Sequence, residues 1–218
     1  MRYKLERQKR KTVAIRIDGG SVIVKAPLKA DLDQIERFVA QKSAWIEKKL
    51  AAYAKKTAEF ERVINGECML YRGELYPIVV SEKHKRVAIE NGYVFMPIKY
   101  DGKLDCAVNA YKRKAAAELE KRLSEISKLT GLKYASFKLT NAKTKWGSCD
   151  SRCNVMLNWR LLMTEPWIID YVIVHELAHT VHHDHSKDFW ALVGKHYQNY
   201  KAAQKRLKEY SILTSMYR

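Results

Sequence analysis

The sequence has no long apolar run and few of the residues that break regular structure. No stretch approaches the roughly 20 apolar residues that a transmembrane helix needs, and the basic start MRYKLERQKRKTVAIRI leads into no apolar signal segment. The chain has only nine glycines and four prolines among 218 residues, which is typical of a globular rather than a disordered protein. We therefore expect a globular, cytoplasmic protein that makes no membrane contact.

Cysteine is also scarce, and its spacing indicates no disulfide framework. The four cysteines are scattered over the chain, and a protein of this length can fold on its apolar core alone. Cys149 and Cys153 are close in sequence, but no further ligands for a second zinc site lie nearby. We predict free thiols at Cys68, Cys106, Cys149 and Cys153.

Acidic residues are in the minority. The chain has 41 Lys+Arg against 24 Asp+Glu, which gives a formal net charge of +17. An excess of this size favours an anionic partner, such as DNA, another polyanion or an acidic protein surface. No RNP motif, zinc-finger spacing or helix-turn-helix signature accompanies it. A basic nucleic-acid-associated protein is therefore an alternative prediction, and nothing indicates an oligomeric state.

The patterning predicts an α+β protein with a small N-terminal β-hairpin/helix region, residues 1–103. KTVAIRI and VIVKAP flank the turn DGGS and predict a hairpin. ADLDQIERFVAQKSAWIEKKLAAYAKK has apolar residues at helical spacing and predicts one long helix. Short β-rich runs follow between Gly66 and Pro97, with a second hairpin at Asn91-Gly92. KYDGKL is typical of a linker.

The second predicted domain covers residues 104–218. A long helix from Leu104 to Thr130 should stop at Gly131, and strands follow in YASFKLTNA and KTKWGSCDSRCNVMLNWRL. TEPWIIDYVIVHELAHTVHH predicts a helix with Thr164 as N-cap and a proline in its first turn. Because its apolar residues run nearly all round, that helix should be buried and central, packed on a small sheet. Ser186 should cap a last helix.

Five of the seven histidines lie in the stretch VIVHELAHTVHHDHS, and two of them form an H-E-x-x-H motif on the predicted helix. His175 and His179, four residues apart, share one helix face and can converge on one metal ion. Glu176 lies beside the first ligand and can reach a metal-activated water without binding the metal. Zinc would lower the pKa of that water to about 7, and the carboxylate would accept its proton. Buried polar groups on so apolar a helix need partners, which a metal supplies.

A catalytic zinc needs a third protein ligand and an open coordination position. His182 lies on the same face, but it is about 10 Å along the axis from His175 in a straight helix. His185 can return to the metal if the helix ends near His182, and Ser186 at the start of a new helix favours such a break. We therefore favour His185 and keep His182 as the alternative. His183 faces solvent or donates to an oxyanion.

Two strands precede the metal helix and are candidates for substrate contact. An edge strand beside a metal site can pair with an extended substrate through main-chain hydrogen bonds, and KTKWGSC or NVMLNW can provide that edge. Trp146 and Trp159 are predicted to be core residues. Asn158 and Arg160 are candidates for hydrogen bonds to a substrate.

The combination TKWGSC…NVMLNWRL…PWIIDYVIVHELAHTVHHDHSKDFW resembles the YgjP-like metallopeptidase family, whose members are similar to zincin proteases. The resemblance covers most of the chain and is strongest from Thr144 to Trp190. It implies a zinc-dependent metallopeptidase that hydrolyses peptide bonds of a protein or peptide substrate. It also implies that Zn²⁺ is held by the motif histidines and by the histidine of the HS…FW segment, which are His175, His179 and His185.

The same stretch is similar to the WLM and SprT-type proteases, which cut proteins crosslinked to DNA. WLM members carry a glycine and a proline just before the third histidine, where this chain has His183 and Asp184. That departure favours the YgjP-like assignment. Action on DNA-bound proteins therefore stays part of the alternative prediction.

Overall fold

The computed structural model describes residues 2–18, 20–58 and 60–215. The chain forms two compact units, Met1–Glu61 and Arg62–Arg218, and the predicted α+β architecture is confirmed. Within the described residues, no helix is both long and apolar enough to cross a membrane. The four cysteines are free thiols, as predicted.

The first unit contains a small mixed sheet with strand order β1-β3-β2. The predicted hairpin is present as antiparallel strands β2 (Ala14–Asp18) and β3 (Ser21–Pro27), while Gly19 of its turn lies outside the described residues. β1 (Lys4–Gln8) pairs in parallel with β3. A hairpin signal could not predict that strand, because β2 lies between β1 and its partner β3 in the sequence.

Two helices cover one face of this sheet. The single helix predicted here is divided at Lys42 into α1 (Leu32–Gln41) and α2 (Ser43–Ala58). Alternate residues of β3 point toward the helices and are buried, as the period of two in a strand requires. The core of the unit consists of Val22, Val24, Ala26, Ile35, Val39 and Ile46.

The second unit begins within the short helix α3 (Glu61–Ile64) and continues into a four-stranded sheet. Its strands are β4 (Cys68–Tyr71), β5 (Glu74–Ser81), β6 (Ala88–Glu90) and β7 (Tyr93–Pro97), in the order β4-β5-β7-β6. The predicted Asn91-Gly92 turn joins β6 to β7. Both residues have positive φ, 50° and 79°, which a type I′ hairpin turn requires.

The compact units differ from the predicted division after residue 103. Residues 62–103 group with the C-terminal part, because β4 and the turn after it are hydrogen-bonded to that part. Arg72 N–H donates to Leu162 O at 2.8 Å and the Tyr111 hydroxyl donates to Leu70 O at 2.7 Å. The linker-like KYDGKL therefore turns the chain within one unit, through a 3-10 turn at Ile98–Tyr100.

The rest of the second unit surrounds one buried helix. α4 (Leu104–Thr130) has the predicted bounds and ends at Gly131, whose φ is 74°. The small sheet has the order β8-β10-β9, with β8 (Ser136–Thr140), β9 (Gly147–Cys149) and β10 (Asn154–Asn158). α5 (Pro166–Ala178) contacts this sheet and α4. α6 (Lys187–His196) and α7 (Tyr200–Glu209) follow, where one last helix was predicted.

Candidate metal centre

Helix α5 carries the H-E-x-x-H motif, and both of its ends differ from the prediction. Its N-cap is Glu165, in extended conformation, because Thr164 instead ends the preceding 3-10 helix and donates its hydroxyl to Leu161 O at 2.8 Å. The helix ends at Ala178, about one turn earlier than predicted. His179 is its C-cap and keeps helical backbone angles, so it still lies one turn beyond His175.

Two ion pairs fix the position of α5. Arg122 of α4 donates to both carboxylate oxygens of Asp170, at 2.6 and 2.7 Å. Arg206 of α7 donates to Glu165 at 2.9 Å. Nine of the thirteen residues of α5 are buried, as predicted for a central helix. The motif therefore lies on a helix whose start is held by α7 and whose middle is held by α4.

His175, His179 and His185 converge. One nitrogen from each lies within 4.8 Å of the others, and Nε2 of His175 is 3.2 Å from Nε2 of His185. A tetrahedral zinc with Zn–N bonds of 2.0–2.1 Å would hold two nitrogens about 3.3–3.4 Å apart. Among the described residues, these three are the group that can hold a metal ion. The donor set and its spacing fit a zinc-type cation.

The chain returns to the cluster through a tight turn after α5. His182 N–H donates to Ala178 O at 3.0 Å, and Nδ1–H of His179 donates to His182 O at 3.0 Å. The second bond fixes the tautomer of His179 and leaves Nε2 as its lone-pair nitrogen. The side chain of His182 is not part of the group, but its carbonyl orients His179. His183 is exposed.

Ser186 starts the next helix, as predicted. Its hydroxyl accepts from Phe189 N–H at 3.4 Å, and its own N–H donates to the Asp184 carboxylate at 3.2 Å. This cap stops the turn directly after His185. Because the turn ends there, the His185 ring lies over the end of α5.

Phe189 forms an apolar floor beneath all three imidazoles. Its ring centroid is 5.0 Å from that of His175, 4.5 Å from that of His179 and 4.8 Å from that of His185. Phe189 is fully buried. Trp190 adds a side wall, 5.7 Å from both His175 and His185. Sequence reasoning assigned Phe189 only to the apolar face of a helix. Its position four residues after His185 was the sequence feature that could have predicted this contact with the histidines.

Burial keeps the helix histidines neutral. Burial, followed by the proximity of His179 and His185, lowers the pKa of His175 to about 3. Burial also lowers the pKa of His179, although its bond to the His182 carbonyl opposes this effect. A metal ligand must be a neutral imidazole. Both side chains are therefore ready to bind a cation at neutral pH without first losing a proton.

Glu176, the residue after His175, is not one of the three converging side chains and packs against the small sheet. Its side chain is only 5% exposed, and burial raises the pKa of its carboxyl to about 8, an effect that the nearby Lys145 opposes. A Cβ atom at Gly147 of β9 would lie 2.6 Å from Oε1 of Glu176. The absence of a side chain at Gly147 therefore lets the carboxyl lie directly on the strand. Glycine within a strand is a sequence signal for such a close approach, and sequence reasoning missed it.

Residues on and near β9 make their contacts within the protein. Burial, with smaller contributions from Cys153 and Glu176, raises the pKa of the Cys149 thiol to about 11. Asn158 is fully buried and donates to Ala142 O and Lys145 O, at 2.8 and 2.9 Å. Arg160 is 2% exposed and donates to Asn141 at 2.7 Å. The predicted substrate contacts of Asn158 and Arg160 are therefore replaced by bonds that hold the loop before β9.

Comparison with known proteins gives one family and one solved structure. The solved structure is the crystal structure of the metallopeptidase zymogen of Pyrococcus abyssi abylysin, which is 22% identical with a TM-score of 0.38, over 41% of this chain and 90% of that chain. No curated protein matches the chain. The family model of the YgjP-like metallopeptidase domain matches residues 11–210. Since that match runs through both compact units and includes the three histidines and Glu176, the chain belongs to the YgjP-like metallopeptidase domain family.

Proposed function

We propose that the protein is a zinc-dependent peptidase in which His175, His179 and His185 hold the ion and Glu176 acts as general base. The observation that carries the proposal is the convergence of three imidazoles beside a buried carboxyl that does not join them. Three histidines without a thiolate are typical of catalytic zinc sites, which keep a fourth position open. When bound, zinc would polarise the scissile carbonyl and lower the pKa of a coordinated water to about 7.

The chemistry assigned to the protein itself is proton transfer by Glu176. Its carboxylate takes a proton from the attacking water and returns it to the leaving amide nitrogen. Burial raises the pKa of this carboxyl to about 8, and a cation bound nearby lowers the pKa of a carboxyl. The two opposing effects suit a group that must first accept and then donate a proton near neutral pH.

The free edge of β9 is the proposed support for an extended substrate. Asp150 N–H donates to Asn154 O, and Asn158 N–H donates to Trp146 O. Because hydrogen-bonded pairs alternate along an antiparallel ladder, Ser148 also faces β10. The N–H and C=O groups of Gly147 and Cys149 consequently point away from β10. A peptide strand pairing with them would run past the Glu176 carboxyl.

The experiment that tests this function is Glu176→Gln. The amide has nearly the shape of the carboxyl but cannot accept a proton, so hydrolysis should fall by about 10²-fold to 10⁴-fold. Zinc content, measured by mass spectrometry of the purified protein, should stay at that of the wild type. Peptide cleavage is measured on an unfolded protein and on a DNA-bound protein. Equal cleavage of both by mutant and wild type would contradict the mechanism.

The net charge of +17 favours a second, compatible proposal. In this proposal, the basic surface binds DNA or another polyanion. Either the peptidase then acts on proteins held there, or the protein binds nucleic acid and its zinc is structural. Such binding weakens steeply with salt and should survive replacement of the zinc ligands by alanine. A gel-shift titration over salt, with and without the ligands, tests it. Binding that vanishes with the metal would contradict it.

A further inference from the structure

A recess of the C-terminal unit opens beside the start of β9. It has a volume of about 270 Å³ and is lined by Trp146, Gln204, Leu207, Lys208 and Ser211. Sites for whole small-molecule ligands commonly have about 300–1,000 Å³. The recess is therefore of a size for a single large side chain.

Two connections join this recess to the metal centre. Trp146 directly precedes Gly147, over which the Glu176 carboxyl lies. Gln204, another lining residue, lies close enough to the Tyr171 hydroxyl to lower its pKa against the effect of burial, and the Tyr171 ring centroid is 5.9 Å from that of His175. The recess is thus separated from Glu176 by one residue of β9, and from His175 by one ring.

Hydrogen bonds hold the main chain at Trp146. Its carbonyl accepts from Asn158 N–H at 2.8 Å, and the carbonyl of the preceding Lys145 accepts from the buried Asn158 amide at 2.9 Å. A substrate strand on the free edge of β9 would pass Trp146 at one end. Side chains alternate along such a strand, so one of them would be directed to the recess from beside the metal.

We propose that this recess is the specificity pocket of the peptidase and receives a large, uncharged, apolar substrate side chain next to the scissile bond. The inference rests on the proposed function. The indole of Trp146 and the side chain of Leu207 supply apolar walls, while Gln204 and Ser211 are neutral. Among the described residues, no carboxylate lines the recess, so none of its lining side chains could pair with a lysine or arginine of the substrate.

The test compares two zinc-binding hydroxamates on the zinc-loaded full chain by isothermal titration calorimetry. Acetohydroxamate engages the metal alone, whereas 3-phenylpropanohydroxamate adds a ring of the predicted class. Burial of the ring should make the second ligand roughly 10-fold to 100-fold tighter. Ser211→Trp fills the recess and should remove most of that gain without changing acetohydroxamate binding. Ala202→Trp adds the same bulk on the exposed side of α7 and should keep the gain.

The outcomes separate the pocket from the metal function. If both hydroxamates bind the wild type with equal affinity, or if the gain persists in Ser211→Trp, the pocket inference is overturned. If neither hydroxamate binds the zinc-loaded protein, the open metal site itself is disproved, and the role of the pocket with it. As a second measurement, the cleavage sites in a peptide library should show one position enriched in Leu, Met or Phe. Ser211→Trp should lose that enrichment.

Discussion

Helix α5 and the turn that follows it contribute to the same three-histidine cluster in different ways. α5 presents His175 from a packed helix that ion pairs hold, and burial lowers the pKa of that imidazole to about 3. The turn, residues 179–186, presents His185 from an exposed backbone held by local hydrogen bonds. Strain or cavities in α5 should therefore change global stability, whereas changes in the turn should act mainly on metal affinity.

The largest expected effect is the loss of zinc from His175→Ala and from His185→Ala. Loss of a group behind a metal ligand typically weakens binding 10-fold to 100-fold, so removal of a ligand should exceed about 100-fold. His182→Ala is the matched control, because its main-chain carbonyl remains available to His179. Competition against a chelator of known affinity measures the three constants. Zinc lost in His182→Ala but kept in His185→Ala would make His182 the third ligand.

The metal-free variants sharpen the comparison. His175 packs on Phe189, with ring centroids 5.0 Å apart, so its truncation leaves a cavity and should lower the free energy of unfolding by about 2 kcal/mol or more. His185 is exposed, so its truncation should change that free energy by less than about 0.5 kcal/mol. Urea unfolding in the presence of a chelator measures both. Equal losses would show that the turn is as integral to the fold as α5.

Local signals in the sequence predicted most elements of the second unit. The bounds of α4 followed from its apolar spacing and Gly131, and the hairpin of β6 and β7 followed from Asn91-Gly92. The motif spacing and the cap at Ser186 indicated the three histidines that converge. In these cases, the residues that determine an element lie within or directly beside that element in the sequence.

What the sequence did not predict depends on distant contacts. β1 pairs with β3 across the whole hairpin, and Arg72 and Gly73 bond to the 3-10 helix some 90 residues later. The contact of Gly147 with Glu176 joins a strand to a helix. No pattern in the sequence identifies the two partners of any of these contacts. The N-cap at Glu165 was missed because Thr164 has a competing use as the end of the preceding turn.

A smaller effect is expected where α5 meets β9. In Gly147→Ala, the new methyl group would lie 2.6–2.8 Å from three atoms of the Glu176 side chain, and overpacking of this kind costs about 1–3 kcal/mol. Zinc affinity should stay within a few-fold, because no histidine is touched. Ser148→Ala, one residue on and facing the other side of the sheet, should change the free energy of unfolding by less than about 0.5 kcal/mol. A Gly147→Ala protein as stable as the wild type would show that the carboxyl can move off the strand.

The smallest effect is expected at the cap that ends the turn. Ser186→Ala removes the acceptor for Phe189 N–H, and loss of an N-cap side chain costs about 1 kcal/mol. This cap follows His185 directly and starts the helix that carries Phe189. Most of the lost free energy should therefore appear as zinc binding that is weaker by about fivefold. Ser186→Asn keeps a capping oxygen and should bind zinc like the wild type. If Ser186→Ala instead lowered the stability of the metal-free protein and left zinc affinity unchanged, the turn would belong with α5, and the proposed division of the centre into a rigid half and a locally held half would be wrong.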